Sequence, residues 1–203
     1  MELLSTLSST SDDFWDELKR EYLERRVLIL NDTVDENIIE DLVLYILKWN
    51  SEDRNISKNK RKPIWLVINS PGGDSIVGSS LVDVINFSKT PVYTVGLGMV
   101  ASMAFCIYIC GKKRYAFPNT TLLMHDGNIT ISNSSGKAKD TMAYCEELER
   151  RSKNNILSHT NITEDMYDDN FNKELYMYAD DQAKELGCLD YVIGIDCDID
   201  TIL

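Results

Sequence analysis

Three short apolar runs, each followed by a segment with helical spacing, limit most narrowly how this chain can fold. Val27-Leu28-Ile29-Leu30 is continuous and apolar, as are Ile64 to Ile68 and Val92 to Val95. Runs of this kind mark strands covered on both faces. Thr33, followed three residues later by Glu36, fits a capping box. It predicts a helix from there to about Trp49, with Ile38, Leu42, Tyr45 and Ile46 facing inward. A second helix is expected from about Ser75, carrying Ile76, Val77, Leu81, Val84 and Ile85 at helical spacing. The third, Val100 to Cys110, is apolar all round and ends at Gly111, so it should be buried. Strand and helix alternating in this way predict a parallel sheet with helices packed against it.

The rest of the chain reads more simply. Asp12 to Arg26 suits a helix, and the polar dozen residues before it should be flexible. Ser51 to Lys62 is charged and loop-like, a surface excursion. Gly96-Leu97-Gly98 reads as a turn. Lys112 to Ala116 and Thr121 to Met124 are further strands, and Tyr191 to Ile193 is a last one. Ser135 to Ser158 is a long helix with Met142, Cys145, Leu148 and Ile156 on one stripe. A short helix over Ala179 to Leu186 is closed by Gly187. A length of 203 residues suits a single domain spanning 1–203.

Charge and composition exclude several functions. A formal charge of -12 disfavours nucleic acid and anionic membrane surfaces as partners. No apolar run is long enough to span a bilayer. The N-terminus lacks a basic region and an apolar core, so a cytoplasmic protein is expected. The five cysteines, Cys106, Cys110, Cys145, Cys188 and Cys197, are scattered and read as reduced. They complete no zinc set, and no nucleotide motif is present, so neither a metal nor a cofactor is expected.

Histidine is scarce. His159 lies in the polar end of the long helix and reads as exposed, whereas His125 ends the apolar strand Leu122-Leu123-Met124. A strand tip is a rigid mount of the kind catalytic groups use, although structural histidines sit there too. Ser102 stands at the head of the apolar helix. It is either the N-cap of that helix or a nucleophile beside free backbone N–H groups. The segment is not a G-x-S-x-G elbow, since Val100 and Ala104 replace both glycines. The turn Pro71-Gly72-Gly73 supplies further amides. Serine, imidazole and amide donors at the ends of strands are the parts of an acyl-transfer site.

These segments together resemble a known family. Ile68-Asn69-Ser70-Pro71-Gly72-Gly73 is similar to the INSPGG turn of ClpP, the proteolytic subunit of the Clp protease. Gly98 to Ala104 is similar to the family's nucleophile segment, with Ala104 in place of a glycine. Pro118-Asn119 through Met124-His125 resembles its histidine strand, and Ala179 to Asp190 its last helix and turn. The resemblance spans about Arg25 to Ile193. It implies a crotonase-like α/β fold, a ββα superhelix with a protruding handle helix, here Ser135 to Ser158. It implies a serine endopeptidase with Ser102 as nucleophile and His125 as general base. The backbone N–H groups of Gly73 and Met103 would form the oxyanion hole. Two stacked seven-membered rings, a Clp-family AAA+ unfoldase ATPase as partner and unfolded polypeptides as substrates follow from the same likeness. The third triad member departs from the family pattern. One inserted residue near Asp180-Asp181 aligns Glu174 with the family's aspartate, while Asp169 matches the local motif but lies further upstream. A non-catalytic ring subunit and an acyl-CoA enzyme of the same fold are the competing readings.

Overall fold

The computed structural model describes residues 14–127, 130–132 and 134–202. The segment expected to be flexible, 1–12, lies outside them. Helix α1 covers 14–24. Strands β1 (Val27–Leu30), β2 (Ile64–Ser70), β3 (Val92–Ala101), β4 (Lys113–Ala116) and β7 (Tyr191–Val192) lie side by side in that order. Every pairing among them is parallel, as the alternation of strand and helix predicts. The architecture is therefore the mixed α/β one expected, with α2 (Leu44–Glu52), α3 (Ser75–Phe87) and α4 (Met103–Tyr108) joining its strands.

Strand β3 organises the site because it changes partners along its length. Its first half, Tyr93 to Gly96, pairs with β4, and its last residues, Met99 to Ala101, pair with β5 (Thr121–His125). Gly96-Leu97-Gly98 is thus a kink inside one strand and not the expected turn. Gly98 has a φ of 64°, and a Cβ there would lie 2.7 Å from Oδ1 of Asn69, which accepts the Met99 N–H. A left-handed residue in such a place favours glycine. Antiparallel to β5 runs β6 (Glu174–Tyr178), an element the residue pattern does not announce. The short helix α6 (Glu164–Asp169) precedes it.

Four other expectations are corrected. Thr33 and Glu36 form no capping box. Val34 is held extended instead, its N–H donating to Gly72 O and its carbonyl accepting from Asp74 N, both at 2.8 Å. The helix can start only beyond that pairing, as a π-helical turn over Ile39–Val43 that continues into α2. Its inward face is nonetheless as read, with Ile38, Leu42 and Ile46 buried. Strand β1 is an edge strand and is not covered on both faces, for Ile29 is 51% exposed. The charged segment after α2 is anchored and not a free excursion. Asp53, 2% exposed, accepts from both terminal nitrogens of Arg26 at 2.6 and 2.9 Å and from the Thr90 hydroxyl at 2.9 Å. The apolar helix, finally, is shorter than expected. It begins at Met103, with every residue to Tyr108 buried.

Helix α5 (Ser135–His159) is 25 residues long, and only Ile156 in it is buried. Its end is tied to α4, where Asn155 donates to the Cys106 carbonyl at 3.1 Å. Among the described residues no helix is long and apolar enough to cross a membrane. All five cysteines are free. Cys106, Cys110 and Cys188 are buried, and burial pushes the Cys110 thiol up to about 12.

Candidate active site

Ser102 sits between β3 and α4 with φ 56° and ψ -123°. Positive φ is costly for any residue with a Cβ, on the order of 1–3 kcal/mol, and persists only where the surroundings impose it. Here they do. The Ser102 N–H donates to the Leu123 carbonyl of β5 at 3.0 Å, and its carbonyl accepts from Cys106 N at 3.2 Å. Gly72 presses on the same point, since a Cβ there would lie 2.7 Å from Ser102 Cβ and 2.9 Å from Met103 N. Ser102 occupies the N-cap place of α4, yet its hydroxyl makes no capping bond. The purely structural reading of this serine therefore loses its basis.

His125 is the last residue of β5, and β5 is held to β3 with Leu123 opposite Ala101. That register brings the ends of the two strands together. Ser102 and His125 line one cleft of about 420 Å³, whose wall also includes Pro71, Gly73 and Met103. Among the described residues no hydrogen bond links the serine to the imidazole. In unliganded sites such bonds are often long and tighten only around a substrate.

The two residues expected to supply amide donors, Gly73 and Met103, line the same cleft. The pairing at Val34 uses the Gly72 carbonyl and the Asp74 N–H, which leaves the N–H of Gly73 outside it. Met103 supplies the first amide of α4, where helical N–H groups lack intrahelical acceptors. Its side chain is seated against Gly78, where a Cβ would lie 2.3 Å from Met103 Cγ.

Glu174 lies directly opposite His125 in the antiparallel pair. Residues so placed have Cβ atoms about 5 Å apart on one face of the sheet. The Glu174 carboxylate is exposed and accepts from the Tyr176 hydroxyl at 2.7 Å. Asp169 closes α6, and its backbone carbonyl accepts from Lys173 Nζ. His159 is half-buried and not exposed. Its Nδ1 meets the Asn155 carbonyl at 2.8 Å and its Nε2 meets Asn86 Oδ1 at 3.1 Å, so it ties α5 to α3 away from the cleft.

Residue reading passed over the far wall of the cleft. Asp126 follows His125, lines the cleft, and accepts the Asn172 N–H at 3.0 Å. It thereby fixes the strand tip to the loop before β6. Cys145 and Glu149 come from α5 and Tyr167 from α6. Only adjacency to His125 could have drawn notice to Asp126. Nothing in the pattern distinguishes Glu149 from its charged neighbours on the same helix.

Comparison with known proteins bears on this arrangement. The profile of the family described as Clp protease matches residues 10–196. The ATP-dependent Clp protease proteolytic subunit 2 of Treponema pallidum is 34% identical over 181 residues, covering 86% of this chain and 85% of that protein. The protein of the same name from Treponema denticola is 34% identical over 145 residues, 70% of this chain and 67% of its own. That from Corynebacterium efficiens is 30% identical over 187 residues, covering 91% and 88%.

Proposed function

Since the chain belongs to the Clp protease family, we propose that it is a serine-type endopeptidase subunit with Ser102 as nucleophile and His125 as general base. The observation that carries this reading is the left-handed Ser102, wedged by Gly72 at a strand–helix junction and opening into the cleft that His125 also lines.

The residues suit two-step acyl transfer. Ser102 Oγ adds to the peptide carbonyl while His125 takes the hydroxyl proton. The N–H groups of Gly73 and Met103 stabilise the oxyanion, a contribution of about 3 kcal/mol for one such donor. His125 then protonates the leaving amine, and the acyl ester is hydrolysed by water activated in the same way. Glu174, opposite His125, is the carboxylate proposed to orient the imidazole. Tyr176 engages one of its oxygens, Oε2, and among the described residues no hydrogen bond is made to the other.

The relatives are named as subunits of an ATP-dependent protease. Accordingly, the proposed partner is a Clp-family unfoldase that delivers unfolded polypeptides. The proposed assembly is two stacked heptameric rings joined through α5, in the cytoplasm. The long exposed course of α5 fits a role outside its own subunit.

Ser102→Ala tests the chemistry. It should lower peptide hydrolysis by about 10³-fold or more and abolish labelling by a fluorophosphonate, with native mass and circular dichroism unchanged. Equal hydrolysis by the variant removes the proposal. A wild-type chain that assembles but never takes the label is a ring-building subunit without a working serine.

A further inference from the structure

The cleft that holds Ser102 and His125 carries an electrical signature the chemistry above does not use. Two carboxylates line it, Asp126 and Glu149, and no lysine or arginine does. Asp126 has one backbone donor, the Asn172 N–H. Glu149 is half-buried, and among the described residues it accepts no hydrogen bond and joins no ion pair. Arg150 and Arg151 on the same helix pair with Glu147, and Lys153, one turn on, is held by Asp168 at 2.6 Å and Glu164 at 3.0 Å, with its ammonium over the Tyr167 ring. A carboxylate taken partly out of water without a partner is unfavourable unless a cation arrives. Burial, with Asp126 and Glu146 nearby, raises the Glu149 carboxyl above its ordinary value and outweighs the opposing pull of Lys153.

We propose that Glu149, seconded by Asp126, makes this cleft a subsite for a basic side chain, so that the enzyme prefers lysine or arginine at the residue whose carbonyl Ser102 attacks. The inference rests on the peptidase reading and names its substrate class. The acyl side of the substrate stays attached to Ser102 through both chemical steps, so a subsite that holds its side chain acts on both. Shape and charge agree. Cys106, Cys145 and Leu148 give the cleft an apolar flank along which the methylene stem of a lysine or arginine can lie, while Glu149 and Asp126 receive its head. A guanidinium, planar and with several donors, can meet both carboxylates at once.

The test compares fluorogenic peptides that differ only in that residue, Arg, Lys, Leu, Met or Glu, on the assembled wild type and on Glu149→Gln and Glu149→Lys. Wild type should favour Arg over Leu in kcat/KM by about tenfold, within the range that one pocket contact commonly gives. Glu149→Gln should cut that ratio about tenfold, and Glu149→Lys should turn the preference toward the Glu peptide. An apolar preference in wild type, with a ratio that Glu149→Gln leaves in place, overturns the inference while the peptidase reading stands. If no peptide is cleaved and Ser102 takes no fluorophosphonate, the peptidase reading fails. The charge preference is then decided by fluorescence anisotropy of labelled Arg and Leu peptides: tighter Arg binding that Glu149→Gln weakens upholds it, and equal binding removes it.

Discussion

Gly72 has a φ of 93°, and a side chain there would strike Ala101 O and Ser102 Cβ, each at 2.7 Å. Both facts make it a positioning residue for the serine. Gly72→Ala should reduce kcat by about 100-fold, the order of loss that a displacement near 1 Å produces, with a smaller change in KM. Far-ultraviolet circular dichroism should report an unchanged fold, and an unchanged kcat would show that Gly72 has no part in placing Ser102. Ser102 and His125 were legible in the sequence because a lone hydroxyl in an apolar segment and one of only two histidines are conspicuous. Asp126 and Glu149 were not, since they are two among 33 acidic residues and only the folded chain brings the tip of β5 and a turn of α5 to one cleft.

Local signals at the level of elements decided some boundaries and lost others. Asp74 caps α3, its Oδ1 accepting from Ile76 N at 2.8 Å and Val77 N at 2.9 Å. Asp74→Ala should cost about 1 kcal/mol, read as a shift in the denaturation midpoint. The equally plausible cap at Thr33 failed because Val34 was already paired with the chain at Gly72 and Asp74, a contact 38 residues away that no window of sequence contains. The Arg26–Asp53 pair also crosses between elements, binding the end of α1 to the turn after α2. Asp53→Ala removes the charged partner closest to the guanidinium, leaving it the Lys62 carbonyl at 3.2 Å and Glu52 at 3.9 Å, and should destabilise the fold by about 3 kcal/mol. The hydrogen bond from Arg26, helped by one from Thr90, holds the Asp53 carboxyl below its ordinary 3.8. Because the folded value is the lower one, the contribution of this pair is complete above pH 3.8 and is lost as the pH falls through the folded value. Acid unfolding of wild type and Asp53→Asn should therefore converge at low pH. Curves separated by a constant amount down to pH 2 would rule that linkage out.

At the scale of the whole molecule, the element to probe is α5. Met142 is 45% exposed and Tyr144 49%, on a helix with one buried residue. Apolar side chains left open in this way are expected to be covered on assembly. If α5 joins two rings, Met142→Asp should shift native mass from the double ring toward the single ring while each subunit keeps its fold. A double ring that persists at low protein concentration would place the joint elsewhere. By itself the sequence determined the parallel alternation of strand and helix, and it marked the serine, the histidine and the glycine turn as candidates, because apolar periodicity and rare residues are local properties. Only the tertiary structure decided that β3 runs through its glycines and exchanges β4 for β5, that β6 sets Glu174 against His125, and that a carboxylate of α5 lines the same cleft as Ser102. Each of these depends on segments far apart in the chain meeting in space, and the free energy of such a meeting is written in no single stretch of it.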